Sequence, residues 1–195
     1  MQPIRLDIPE QFKTDRLILR APEVGDGAMV NEAIRESFDA LSQWMNWAVN
    51  LPEIEETEES VRFNRAKFML RERFMFYMME PITNRFIGTC SFVKVDWTAL
   101  KFEIGYWIRT SAAGAGYMTE AVNGLTDYAA QHFGANRVEI HCDPHNTASR
   151  RVAERCGYHL EAVLVKSAVD PFKQIRDDCI YAKVRLRDGA LGYPV

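Results

Sequence analysis

The sequence has no apolar run approaching the roughly 18 to 20 residues of a membrane-spanning helix, no C-x-x-C pair and no long block of basic residues. Each absence removes a class of function. Without an apolar run, no membrane partner is expected. The opening stretch MQPIRLDIPEQFKTDR has no apolar centre and mixes both charges, so no targeting segment is read there and a cytoplasmic location is expected. Cys90, Cys142, Cys156 and Cys179 each sit in an apolar or helical run, which suits reduced, buried thiols better than a disulfide framework. The segment HCDPH, from His141 to His145, matches no common zinc spacing and is turned by Pro144, so no metal is expected. The formal net charge is -3 and the cations form no stripe, so nucleic acid is not an expected partner.

Two phosphate-binding signatures are missing as well. No Gly-Lys-Ser/Thr triplet follows a glycine-rich loop, which removes a Walker site. GAGYMT carries Thr119 where a dinucleotide fingerprint needs its third glycine.

What is present is an ordinary globular composition, 47% hydrophobic and 26% charged over 195 residues, enough for one domain with its own core. RLILR, ending at Arg20, alternates as a strand. A helix is expected after Pro22 to about Leu41, then an aromatic connection, LSQWMNW. The segment beginning PEIEETEE reads as a second helix with an acidic first turn and basic last turn, matching the helix dipole. FMFYMME, FIGTCSFVKV and KFEIGYWI read as three antiparallel strands. Met118, Ala121, Val122, Leu125, Ala129 and Phe133 fall on one helical face, and Gly134 is placed to end that helix. RVEIHC reads as a strand, TASRRVAERC as a short helix closed by Gly157, and YHLEAVLVK and CIYAKVRL as two last strands. This order predicts an α/β (α+β mixed) fold, with one mostly antiparallel twisted sheet and helices on both faces. Residues 101–142 should form a right-handed crossover between parallel strands.

The smallest residues cluster in AAGAGYMTEAV, between a strand and a helix. A loop entering a helix presents unpaired N–H groups and the positive end of the dipole, which together attract anions. Gly114 and Gly116 let the backbone approach a ligand closely. A diphosphate suits that chemistry, though a helix start without a ligand would read the same way. Asn146 and Ser149 follow the next strand, placed as a helix cap and a first-turn residue. Both features fall at the carboxyl ends of the two parallel strands, where ligands collect in α/β sheets.

KTDRLILR, FIGTCSF, FEIGYWIRTSAAGAGYMTEAV and RVEIHCDPHNTASRRVAERCGYHLEAVL resemble the GNAT N-acetyltransferases, within them the branch related to the ribosomal-protein N-terminal acetyltransferases RimJ and RimL. The resemblance runs in order over about residues 13–185 and implies a single GNAT-type domain. It implies acetyl-CoA as co-substrate, lying where two parallel strands splay apart. Trp107, Ile108 and Arg109 would meet the pantetheine arm. Gly114, Ala115, Gly116, Tyr117, Met118 and Thr119 would meet the pyrophosphate. Asn146 would contact the coenzyme and Ser149 its sulfur. Ala113 stands where the family usually has Arg or Gln, and Ala115 where a longer polar residue is common, so main-chain amides are left with most of the anion contact and a reduced affinity is expected. The resemblance further implies an amine acceptor, a protein N-terminus or a small molecule, with Trp44 and Trp47 as a wall for it, and it is compatible with a homodimer.

Acetyl transfer to an amine needs a proton acceptor, a donor to the thioester oxygen, a hydrogen bond to the leaving thiolate and a means of holding both substrates together. Glu103, the only acid in FEIGYWI, is the first candidate base, with Glu161 and Asp170 as alternatives; an edge-strand surface charge is the plain reading of Glu103. Ser149 is the candidate contact to the thiolate, and a helix-turn serine is its plain reading. The oxyanion donor is expected from a strand N–H near Ile108. Cys142 lies beside Asp143, an electrostatic setting that disfavours a thiolate and hence an acetyl-cysteine route. Two other classes stay open: an inactive acyl-CoA-binding sensor of the same fold, and a protein for another diphosphate ligand.

Overall fold

A computed structural model describes residues 2–194. In chain order the elements are β1 (Gln11–Lys13), β2 (Ile18–Arg20), α1 (Gly27–Leu41), α2 (Ile54–Met69), β3 (Phe74–Met79), β4 (Phe86–Asp96), β5 (Lys101–Ile108), α3 (Tyr117–Tyr128), β6 (Arg137–Cys142), α4 (Thr147–Arg155), β7 (His159–Val169), β8 (Ile175–Arg185) and β9 (Leu191–Gly192). The strands form one sheet in the order β1-β2-β3-β4-β5-β6-β8-β7, with β9 on β8. Every pairing is antiparallel except β5 with β6. The expected parallel crossover is therefore present, with α3 as its connecting helix.

Local sequence explains the helices. In α1, Val30, Ala33, Ile34, Ser37 and Leu41 are buried, a stripe at i, i+3, i+4, i+7 and i+11. The second helix starts at Ile54, two residues beyond Pro52. Glu53 caps it, and the Glu56 carboxylate returns to accept the Glu53 N–H at 2.9 Å, a reciprocal capping box. The last turn of α3 widens into a π-helical turn, Ala129–Phe133, and Gly134 ends it at φ 62°.

The sheet carries apolar residues on both faces. On one side Phe92, Phe102 and Ile104 meet Val122, Leu125 and Phe133 of the α3 region. On the other, Tyr77, Met79, Phe86 and Trp107 meet Val30, Ile34 and Leu41 of α1 and Val61 of α2. All four cysteines are free and buried. Among the described residues no helix is long and apolar enough to cross a membrane.

The feature that makes a site is a mismatch of lengths. The parallel pair runs for four register steps, Lys101 with Arg137 through Ile104 with Ile140, and then stops. The fifth strand continues along β4 to Ile108 while the sixth follows β8 to Cys142. Beyond Ile104 and Ile140 the two strands part.

Candidate active site

The gap between the parted strands opens into a cleft of about 670 Å³. Gly105, Tyr106, Trp107 and Ile108 form one wall; Ile140, His141, Cys142 and Asp143 form the other, continued by Ser149 and Val152 of α4. The small-residue loop also lines it, as do Trp44 and Met45 and, from the β7–β8 turn, Asp170 and Pro171. The Asn46 amide donates to the Val169 carbonyl at 3.2 Å, tying the α1–α2 connection to that turn.

The strand wall offers main-chain donors. The Arg109 N–H is bound to the Ile87 carbonyl at 2.9 Å, so Arg109 and, two residues back, Trp107 turn their amides to β4. By alternation, Tyr106 and Ile108 turn theirs toward the splay, where β6 no longer answers them. Of the three strand residues expected at the coenzyme, Trp107 and Ile108 line the cleft and Arg109 does not. The Arg109 guanidinium is buried against Glu32, Glu36 and the Phe86 carbonyl. Glu36 in turn accepts the Ser111 N–H at 2.8 Å, and Ser37 accepts the Thr110 N–H at 2.9 Å. The pair thus fastens α1 to the segment that leads into the loop, and the bond from Arg109 and the Ser111 contacts hold the Glu36 carboxyl down at about 2.

In the loop, Gly114 and Gly116 have φ 80° and 82°, the left-handed region that glycine enters without strain. Gly116 is the N-terminal cap of α3; its carbonyl accepts the Glu120 N–H at 3.1 Å. The first amides of the helix are left without intrahelical partners. Gly114, Gly116, Tyr117, Met118 and Thr119 border the cleft, as does Ala113, whereas Ala115 does not.

At the other wall, the Asn146 side chain accepts the Ser149 N–H at 3.0 Å and so caps α4. The Ser149 hydroxyl lies 3.0 Å from the Tyr106 hydroxyl, which also reaches the Ser149 carbonyl at 3.1 Å. Tyr106 was not singled out from sequence. Its polar tip on the same strand face as Ile104 and Ile108 was the available signal, since a buried phenol seeks a partner. Cys142 lines the cleft as a thiol; burial raises its pKa to about 11, against a weaker lowering bond from Ser149.

Glu103 stands one register step below the splay, opposite Glu139, and does not border the cleft. Lys94 holds its carboxylate at 2.8 Å, and the His141 ring lies 3.9 Å away. His141 does border the cleft, with Nδ1 3.0 Å from Asp178 and Nε2 3.1 Å from Glu139. Burial alone would lower its pKa, but the bonds to Asp178 and Glu139 and the charge of Glu103 outweigh this and raise it to about 9. The bond from His141, aided by Arg137, holds Glu139 down at about 2. Among the described residues Glu103, Glu139 and His141 bring ligand atoms within 4.8 Å of one another. Those carboxylates already hold Lys94 and Arg137, so the cluster is an internally neutralised network.

The remaining candidates separate. Asp170 is at the cleft, whereas Glu161 is paired with Arg137 outside it. Trp44 borders the cleft; Trp47, half exposed, lies 6.1 Å from Trp107 behind that wall.

The sequence profile of the acetyltransferase (GNAT) domain matches residues 16–159. A ribosomal-protein-serine acetyltransferase of Escherichia coli is 31% identical over 127 residues, 62% of this chain and 69% of that protein. An uncharacterised N-acetyltransferase, p20, of Bacillus licheniformis is 26% identical over 80% of this chain and 85% of that protein. In fold, the chain is similar to the microcin self-immunity acetyltransferase MccE, solved with acetyl-CoA and AMP, at a TM-score of 0.85 and 24% identity over 90% of this chain and 97% of that one. It is also similar to RimL, solved with coenzyme A, at a TM-score of 0.82 and 24% identity over 91% and 97%.

Proposed function

The chain belongs to the acetyltransferase (GNAT) family, and from that premise we propose that it carries the acetyl group of acetyl-CoA directly to a primary amine. The observation that carries this reading is the coincidence of two half-sites in one cleft. Unpaired strand amides at Tyr106 and Ile108 suit the amide-bearing pantetheine arm, and the amides at the start of α3 suit the pyrophosphate.

In this reading the thioester lies between Ile108 and Ser149. The amine nitrogen attacks the carbonyl carbon, the Ile108 N–H stabilises the oxyanion, the C–S bond breaks, and coenzyme A leaves with a hydrogen bond from Ser149. Tyr106 fixes the Ser149 hydroxyl. The amine proton passes to a carboxylate on the acceptor side, and Asp170, which borders the cleft, is placed ahead of Glu103, which does not. His141, with its pKa at about 9, is already protonated near neutral pH and is not that base. Cys142 stays a thiol, which favours direct transfer.

The acceptor we favour is a protein N-terminal α-amine. Support comes from the Escherichia coli relative, a ribosomal-protein-serine acetyltransferase, and from chemistry. An α-amine titrates near about 8 and a lysine near about 10.4, so the α-amine needs less help to lose its proton. Ala113 and Ala115 support one alternative, a cleft that binds acyl-CoA without turnover. A thiol-release screen with acetyl-CoA against peptides starting with Ser, Ala or Met, and against small amines, decides between them. Release with at least one N-terminal peptide supports the reading. Coenzyme binding with no release across the panel selects the alternative.

A further inference from the structure

The anion loop is held by Arg16, in the turn between β1 and β2. Its Nη1 donates to the Ala115 carbonyl at 3.0 Å. Its Nε donates to Glu120 of α3 at 2.7 Å, and its own N–H reaches the same carboxylate at 2.7 Å. The guanidinium lies 4.6 Å over the Tyr117 ring. Thr14 also donates to Glu120, and a Cβ at Gly124 would meet the Thr14 methyl at 2.8 Å, so the turn is seated closely on α3.

The bond to Ala115 has a directional consequence. In a trans peptide the C=O and the following N–H point opposite ways. The Ala115 carbonyl is drawn to Arg16, and neither residue lines the cleft; the Gly116 N–H points the opposite way, and Gly116 does border the cleft. Arg16 Nη2 has no hydrogen bond among the described residues and lies 3.4 Å from where a Gly116 Cβ would stand.

We propose that Arg16, itself braced by Glu120, is a positioning residue for the coenzyme pyrophosphate: by holding the Ala115 carbonyl it orients the Gly116 amide toward the anion. This rests on the acetyl-CoA reading above. Its effect is confined to the phosphate-bearing end of the ligand, since Arg16 reaches neither the strand amides nor Ser149.

The experiment compares dissociation constants of acetyl-CoA and of S-acetylpantetheine, which lacks every phosphate, by tryptophan fluorescence. The proteins are the wild type, Arg16→Ala and Thr14→Val. The last removes a neighbouring bond to Glu120 and leaves the Ala115 contact, so it reports simple loosening of the turn. The expected result for Arg16→Ala is acetyl-CoA binding weakened about tenfold, S-acetylpantetheine binding unchanged within about twofold, and a wild-type ratio of the two constants in Thr14→Val. Equal weakening of both ligands by Arg16→Ala, or a ratio that falls equally in Thr14→Val, overturns the role. A wild type that prefers neither ligand overturns the acetyl-CoA reading itself.

Discussion

His141 should make the protein's stability fall as the solution becomes alkaline, and the size of the fall follows from its surroundings. Its ring is 20% exposed and faces three carboxylates: Asp178 at 3.0 Å and Glu139 at 3.1 Å through hydrogen bonds, Glu103 at 3.9 Å through charge. Behind them stand Lys94, Arg137 and Lys101, which temper the negative field. The folded pKa is about 9 against 6.5 for a free ring. A group whose pKa is raised on folding stabilises the fold in full below its unfolded value, and that stabilisation is lost as pH rises through the folded value. The window is therefore about pH 6.5 to 9, and the gap corresponds to at most about 3.4 kcal/mol. Urea unfolding of the wild type and His141→Gln, measured from about pH 6 to 10, should show the wild-type advantage shrinking by that amount over the window. A difference that stays flat over the window, or a ring titrating below about pH 7 by NMR, would show that the three carboxylates do not hold the ring protonated.

Other perturbations bear on the chemistry. Ser149→Ala should lower kcat at least about tenfold with little change in acetyl-CoA affinity; a loss under about threefold removes its role at the sulfur. Cys142→Ser should keep turnover within about threefold and no acetylated protein should accumulate, by mass spectrometry, because burial holds that thiol protonated. Asp170→Asn should lower the neutral-pH plateau of the pH–rate profile about tenfold or more and flatten its acid limb, while Glu103→Gln changes turnover less than about threefold; the reverse pattern returns the base to Glu103. Arg109→Met removes the cation shared by Glu36 and Glu32 and the bond to the Phe86 carbonyl, so a thermal melt should shift down by several degrees.

Much of the fold is written in local signals. The face of α3 is spelled by Met118, Ala121, Val122 and Leu125, all buried, and its end by Gly134. The start of α2 is less legible: Pro52 suggests an earlier beginning, but Glu53 supplies the cap and the helix begins after it. β1 and β9 escape any periodicity because three and two residues cannot display one. At the site, the sequence marks which residues gather at the parted strands, through the loop glycines and the Asn146 cap. It does not mark which way each backbone group points. Trp107 and Arg109 differ from Ile108 only through pairing with β4, and that depends on a partner strand far away in sequence. Glu103 stands out as a lone acid in FEIGYWI, yet its neighbours Lys94, Glu139 and His141 are fixed by register alone. Arg16 reads from sequence as a strand residue; its place behind Ala115 arises only when the β1–β2 turn seats on α3.

The central claim is that the parted strands and the start of α3 hold acetyl-CoA. Titration calorimetry with acetyl-CoA, run beside ATP and NAD, tests it most directly. Acetyl-CoA should bind saturably at one site, and neither nucleotide with comparable strength. Absence of acetyl-CoA binding up to about millimolar concentration, or stronger binding of ATP or NAD, would contradict it.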